Sequence, residues 1–421
     1  MKLTNEEKAM LDGEFGSGTQ RCIDLQIRLG KIFGAEKMVK VNHVHFSSSM
    51  PNELLHKMSE GVESVRTVAS IHAAFDPTWF AGKFGMVMKG ELARGVAASD
   101  DSEFMQRMRH LSRLGFLPTF TCAPYIGGIL PRPGDVLCWT GSSGQVICNS
   151  LFGTRSGRES AASCLAAAVT GKTPYIGLLK KENRYAQILV ELKPDLELDK
   201  LSEADYGAIG YFIGEKASYK NIAIKGIPPG ISFENERMLL SPLPVSGSCT
   251  ICHIIGVTPE ALTLEEAFGD KKPEEIVQVG QKELKGSYDM LTNPDTDRID
   301  MVAIGCPHLT ISEIANVASL LDGKRINQDV RLLIGISNSV HSLASDSGYA
   351  QGIERAGGAF MNICVAAANR LIFQKELPRV IATNSARAAH YIQRMTAGRS
   401  RTIYGDMKRC IESAISGKWG G

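Results

Sequence analysis

Ten cysteines are scattered along this 421-residue chain, and three of them stand where chemistry gathers in an α/β protein. Cys122 ends a strand-like run and sits in the turn Thr121-Cys122-Ala123-Pro124-Tyr125. Cys306 closes the buried-type run 299–305, just before Pro307-His308, and Cys364 follows the Gly357-Gly358 turn. Open α/β sheets bind ligands outside the carboxyl ends of their strands. Three thiolates converging there have the ligand chemistry for an iron–sulfur cluster with one iron left open. The spacing is not a local ferredoxin run, and free cysteine also serves as a small buried hydrophobe. Both readings stand on the residues alone.

Residues 117–177 hold the densest reactive stretch. Behind Cys122 come Gly127-Gly128, the run 136–139, the small-residue segment Thr140-Gly141-Ser142-Ser143-Gly144, and then Asn149-Ser150. Gly153-Thr154-Arg155-Ser156-Gly157-Arg158-Glu159-Ser160 follows and opens an alanine-rich helix to Val169. Small residues let backbone approach a ligand. Arg155 and Arg158 beside a helix start make a carboxylate or phosphate cradle, or else only surface hydrogen bonds.

Histidines 43, 45, 253 and 308 suit acid–base work, although a lone histidine is more often structural. His45 and His308 stand out, each at a strand end beside polar or thiol residues. Cys249-Thr250-Ile251-Cys252-His253 matches the pattern for covalent haem attachment, but that attachment needs export and no export signal is present. A redox dithiol at Cys249 and Cys252 is the alternative use of that motif. Cys22, Cys138, Cys148, Cys164 and Cys410 sit within apolar runs and are expected in the core, while Asp76 and Asn384 also suit plain turns. No Walker A motif, dinucleotide fingerprint, H-E-x-x-H or G-x-S-x-G occurs.

The elements that must hold these residues alternate strand, polar loop and helix, the α/β pattern. Thr4 is expected to cap a first helix, 22–32 and 102–115 to form helices, and 39–46 and 65–74 to form strands. Strands are also expected at 185–190, 299–305, 331–336 and 379–382, with a closing helix after the last. The glycines and aromatics of 206–216 predict tight packing, and the charged stretch 271–298 predicts a solvated helix. Proline and glycine density between 226 and 244 divides the chain into an N-terminal region, 1–230, carrying Cys122 and the anion cradle, and a C-terminal region, 245–421, carrying Cys306 and Cys364.

A formal charge of only +2 gives no electrostatic case for nucleic acid or an anionic membrane surface as partner. The polar N-terminus, the lack of a long apolar run and the scattered cysteines predict a cytoplasmic chain with reduced thiols.

In this order, Thr121-Cys122-Ala123-Pro124-Tyr125, Asn149-Ser150 with Gly153-Thr154-Arg155, Gly171-Lys172-Thr173-Pro174, Gly305-Cys306-Pro307-His308 and Ala382-Thr383-Asn384-Ser385 resemble the aconitase X family. The segments 3–14 and Gly256-Val257-Thr258-Pro259-Glu260 are similar as well, so the likeness spans the whole chain. There are departures. The archaeal-type Thr-Asn-Ser-Gly-Lys is here Thr383-Asn384-Ser385-Ala386-Arg387, and the Gly-Gly-Pro after the pocket glutamate is Ser160-Ala161-Ala162. The approach to Cys364 is Asn362-Ile363 in place of acidic or small polar residues.

The resemblance implies an aconitase-like multi-domain α/β core of mixed or parallel sheets flanked by helices, without the swivel domain. It implies the large catalytic subunit of an iron–sulfur hydro-lyase (a heterodimer), partnered by a small swivel-domain subunit. The expected substrate is a small β-hydroxy carboxylate like cis-3-hydroxy-L-proline or mevalonate 5-phosphate. By that likeness Cys122, Cys306 and Cys364 are the metal ligands. Arg155, Glu159 and His45 are the candidate catalytic residues, and Asn149, Ser150, Arg158, Asn384, Ser385 and Arg387 the substrate-binding ones. Losing an α-proton builds charge on the carboxylate, which is why cations such as Arg155, assisted by Arg158 or Arg387, are required. Two other readings are a thiol redox protein using Cys249 and Cys252, and a non-catalytic iron–sulfur scaffold or sensor.

Overall fold

The computed structural model describes residues 1–47, 50–72, 103–366 and 377–420. Asp76, the end of the expected strand 65–74 and the first residue of the expected helix 102–115 lie outside the described residues. The chain builds three parallel sheets in succession. A short antiparallel pair, β1 (Met38–Lys40) with β7 (Lys172–Pro174), stands beside the first.

The first sheet contains β2 (His43–Phe46), β3 (Val68–His72), β4 (Phe116–Thr121), β5 (Val136–Trp139) and β6 (Arg155–Ser156), in the order β4-β3-β2-β5-β6. Every pairing in it is parallel. The sequence reading of 39–46 as one strand is corrected: the chain breaks at 41–42, so β1 leaves for β7 while β2 enters the sheet centre. All four β2 residues are buried, as expected of a strand covered on both faces.

The second sheet is β8 (Ile188–Leu192), β9 (Ile222–Lys225), β10 (Cys252–Ile254) and β11 (Glu275–Val279), in the order β10-β9-β8-β11 and wholly parallel. The division expected between 1–230 and 245–421 runs through this sheet, since β9 and β10 flank it and are paired neighbours. The prolines and glycines there close a β-to-α connection into the helices Phe233–Leu240 and Leu243–Gly247. β11 also corrects the reading of 271–298 as wholly helical. Glu275, Ile276 and Gln278 are exposed, but Val277 and Val279 turn into the core, and the helix begins only at Gln281. The tight packing expected of 206–216 is found in the helix Glu203–Ala217, where a Cβ on Gly210 would strike the backbone of Leu239.

The third sheet is β12 (Met301–Ile304), β13 (Arg331–Gly335), β14 (Gly358–Met361), β15 (Val380–Thr383) and β16 (Arg401–Tyr404), in the order β14-β13-β12-β15-β16, again wholly parallel. β16 was not expected. It separates the helix Ala386–Met395 from the helix Met407–Ser416, where the sequence suggested one closing helix.

Helix boundaries follow local chemistry. Thr4 and Glu7 close a capping box on the first helix, Ser160 and Ser163 one on the helix Ala161–Thr170, and Thr310 and Glu313 one on the helix Ile311–Leu320. Apolar side chains of the first sheet (Phe46, Ile71, Phe116) and of the third (Ala303, Leu333, Met361) share one continuous core, which also takes in Cys306. That shared core brings strand ends of the two sheets together.

Candidate functional site

Each of the three expected cysteines leaves its sheet at the carboxyl end of a strand. Cys122 follows β4, Cys306 follows β12 by two residues, and Cys364 lies just past β14. Because each sheet is parallel, its strands' carboxyl ends fall on one edge of that sheet, so Cys306 and Cys364 share an edge of the third sheet while Cys122 lies at that of the first. The turn carrying Cys306 needs a glycine. Gly305 has φ +95°, and a Cβ there would run into the backbone of Gly335 on the neighbouring strand. The Cys306-Pro307 peptide is cis.

Three hydrogen bonds tie the turns to one another. The His308 backbone N–H donates to Cys122 Sγ at 3.4 Å, and the His308 ring meets the Ile363 carbonyl at 3.1 Å, one residue before Cys364. A carbonyl only accepts, so His308 Nε2 carries the proton. The Ser385 hydroxyl, which also caps the helix Ala386–Met395, donates to the Cys306 carbonyl. Arg237, fully buried, donates to the His308 carbonyl at 2.6 Å and pairs with Glu313 at 3.0 Å.

The thiols feel one another. Cys306 is hydrogen-bonded to Cys364, and that contact, with burial, pushes its thiol well above the ordinary cysteine range. Burial and then the neighbouring Cys364 raise Cys122, against the His308 N–H and the positive charges of Arg387 and Arg237. Desolvation of adjacent thiols favours protons on sulfur unless a cation takes their place.

Beside them lies a cleft of about 320 Å³ lined by Ser47, His72, Ser142, Glu159, Arg387 and Tyr391, with Thr140-Gly141 along one side. Arg387 donates to Ser142 Oγ at 3.1 Å and lies over the Tyr391 ring at 5.0 Å. Its charge reaches all three cysteines. Glu159 faces the same space, and burial holds its carboxyl above the usual range. The cleft therefore joins two expected pocket residues, Arg387 and Glu159, to the thiol group. Sequence reasoning missed His72, Tyr391 and the role of Ser142. His72 ends β3, so the rule that sites lie past strand ends was the available signal.

Other expected site residues are engaged elsewhere. Arg155 Nη2 pairs with Glu260 at 2.8 Å, and the other oxygen of that carboxylate holds the buried Arg184. Asn149 binds the Ser156 backbone through both ends of its amide, and Ser150 Oγ accepts from the Cys252 N–H at 3.0 Å. These residues join the first sheet to the second. Arg158 is exposed. Asn384 is buried at the end of β15.

His45 is fully buried, its Nε2 on the Thr121 carbonyl at 2.8 Å and its Nδ1 on Ser70 Oγ at 2.6 Å. With Nε2 donating, Nδ1 accepts the serine proton. Burial, with the nearby His72 and His43, drives its pKa well below 6.5, so the ring is neutral. The structure gives His45 a positioning task on the turn carrying Cys122, and its ring lies 5.2 Å from that of His72 in the cleft.

Cys249 and Cys252 are both buried free thiols. Burial pushes Cys249 up to about 11 and Cys252 well above the ordinary range. That removes the thiolate a redox dithiol requires.

The donor set at the three turns fits an iron–sulfur cluster in kind: three thiols on separate turns, held by hydrogen bonds, with a cation and an open cleft beside them. Among the described residues no group of three or more His, Cys, Asp or Glu is arranged to hold a metal ion. No helix among them is long and apolar enough to cross a membrane.

Comparison with known proteins bears on this arrangement. Models of the aconitase X first, second and third domains match residues 1–182, 186–289 and 299–416. The chain is 30% identical, over 98% of its length and all of the relative's, to the phosphomevalonate dehydratase large subunit of Methanocaldococcus jannaschii. It is 28% identical to the cis-3-hydroxy-L-proline dehydratase of Hypocrea jecorina, covering 99% of this chain and 69% of that protein. The crystal structure of Thermococcus kodakaraensis aconitase X in its holo-form superposes with a TM-score of 0.81 at 30% identity, covering 98% of this chain and 100% of that one.

Proposed function

The chain belongs to the aconitase X family, and we propose that it is the large, cluster-bearing subunit of a hydro-lyase dehydrating a small β-hydroxy carboxylate. Relatives named for phosphomevalonate dehydratase and cis-3-hydroxy-L-proline dehydratase support the reaction class. The observation that carries the reading is the joining of Cys122, Cys306 and Cys364 through His308 at the edge of an open cleft.

In this reading the three cysteines hold an iron–sulfur cluster. Bound there, the cluster supplies a Lewis acid for departure of the β-hydroxyl. The chain's own residues do the rest. Arg387 and the uncapped start of the helix Ser142–Leu151 bind the carboxylate and stabilise the charge that builds on it as the α-proton leaves. His45, His308 and Arg237 hold the cysteine turns in register. The proton acceptor is assigned to the small swivel-domain subunit, which completes a heterodimer over the cleft in the cytoplasm.

The test is iron and acid-labile sulfide per chain after anaerobic purification with the small subunit, read beside dehydration of β-hydroxy acids. Iron, sulfide and turnover are expected together, and all three are lost in Cys122→Ala. A Cys122→Ala enzyme that keeps full activity would sink the assignment.

A further inference from the structure

Arg387 holds its charge where the backbone already supplies positive potential. It stands in the first turn of the helix Ala386–Met395, whose exposed N–H groups favour an anion, and no acidic residue shares that turn. Among the described residues it pairs with no carboxylate. Its hydrogen bonds go to Ser142 Oγ at 3.1 Å and to the Ser241 carbonyl at 3.5 Å, both neutral. A guanidinium and a helix start of the same sign repel each other unless something negative faces both.

What faces them is the cysteine group. Ser385, two residues before Arg387, caps this helix and donates to the Cys306 carbonyl, which fixes the helix start against the turn of that cysteine. The Arg387 charge is felt at Cys122, Cys306 and Cys364 alike. Other charges near these turns are spent or absent. Arg237 is offset by Glu313 at 3.0 Å, and burial keeps His45 and His308 neutral. Glu159 shares the cleft, but burial raises its carboxyl and its partners are the Ser163 hydroxyl and the Cys138 thiol. No lysine and no other arginine lines the cleft among the described residues. Arg387 is the unopposed cation there.

We infer that Arg387, set on the Cys306 turn through Ser385, is an electrostatic positioning residue that fixes the reduction potential of the iron–sulfur group held by Cys122, Cys306 and Cys364. The inference rests on the cluster in the reading above and not on the reaction assigned to it. Thiolate ligands concentrate negative charge, and reduction adds one more unit to it. A fixed cation beside the site therefore favours the reduced form and raises the potential, since such potentials follow net charge and hydrogen bonding to sulfur. The size is considerable. At an effective dielectric of about 20, one unit charge within about 10 Å moves a one-electron equilibrium by more than tenfold.

The experiment is a potentiometric titration of the anaerobic complex of both subunits, without substrate, followed by electron paramagnetic resonance after iron and sulfide have been counted. Arg387→Gln should lower the one-electron reduction equilibrium at least about tenfold, a fall of about 59 mV, and Arg387→Lys should restore most of it. A second pair of variants carries the test even if Arg387→Gln takes up no cluster. Ser142→Asp puts a carboxylate on the guanidinium at a helix start that tolerates it, so the potential should fall with Arg387 still in place. Ser142→Asn, which adds no charge, should leave the potential where it was. A loaded Arg387→Gln complex with an unmoved potential, or Ser142→Asn moving it as far as Ser142→Asp, overturns the inference. Dehydration of β-hydroxy acids is scored separately. The expected shifts without any dehydration would keep Arg387 in this role and remove the hydro-lyase reading, whereas turnover with a potential indifferent to charge would do the reverse. A parent complex that holds no iron and sulfide overturns both.

Discussion

The His308 ring hydrogen-bonds the Ile363 carbonyl at 3.1 Å, and through that contact the turn bearing Cys306 holds the turn bearing Cys364. The same residue's N–H reaches Cys122, so one histidine touches all three cysteine turns. The contact needs a proton on Nε2, and with Nδ1 unprotonated the buried ring is neutral. Burial secures that state by lowering the ring's pKa to about 4.

Acid should therefore weaken the fold. Between the ordinary histidine value of 6.5 and the folded value of about 4, the unfolded chain binds the proton and the folded chain does not. Stability is full above that window and falls as pH drops through it. For His308 the whole loss is on the order of 3 kcal/mol. His43, held down at about 3 by burial, acts in the same direction. Urea midpoints at pH 7 and pH 5 should show the loss, and His308→Gln should shrink the difference. An unchanged difference in that variant would remove His308 from the acid response.

Arg237 carries a buried charge whose removal leaves Glu313 without its partner. The guanidinium meets Glu313 at 3.0 Å and the His308 carbonyl at 2.6 Å. Arg237→Met should cost about 3–5 kcal/mol, because the remaining carboxylate is stranded away from water. Adding Glu313→Gln should return part of that loss in chemical denaturation. Strict additivity of the two changes would mean that the pair is not coupled.

The ten cysteines should separate by position. Cys249→Ala and Cys252→Ala remove only packing of buried thiols, so each should cost roughly 1 kcal/mol and leave iron and sulfide content as it was. Cys306→Ala should empty the site. Metal lost from the Cys249 or Cys252 variant, with the fold intact by circular dichroism, would contradict this division.

Much of this protein is legible in its residues one after another. Strand-length apolar runs followed by polar turns announced parallel α/β units, and the rule that sites lie past strand ends picked out Cys122, Cys306 and Cys364. Thr4, Thr310 and Ser385 begin helices because their hydroxyls reach backbone N–H groups three residues on, a local matter. Where local signals misled, context decided. β11 looked like solvated helix because charged residues flank it on both sides (Lys271, Lys272 and Glu274 before, Lys282, Glu283 and Lys285 after), and residues 226–244 looked like a linker because a β-to-α connection uses the same prolines and glycines.

Which arginine faces the cleft was beyond the sequence, because it depends on partners distant in the chain. Arg155 and Arg387 are alike as residues, but Glu260 engages the first and no carboxylate among the described residues engages the second. His45 likewise reads as a catalytic base until Ser70 and Thr121 occupy both its nitrogens. Local backbone preferences and periodicity extend over a few residues and so determine elements and strand ends. Hydrogen bonds and ion pairs between elements form only when the sheets pack, and that packing decided which polar groups were left to meet a ligand.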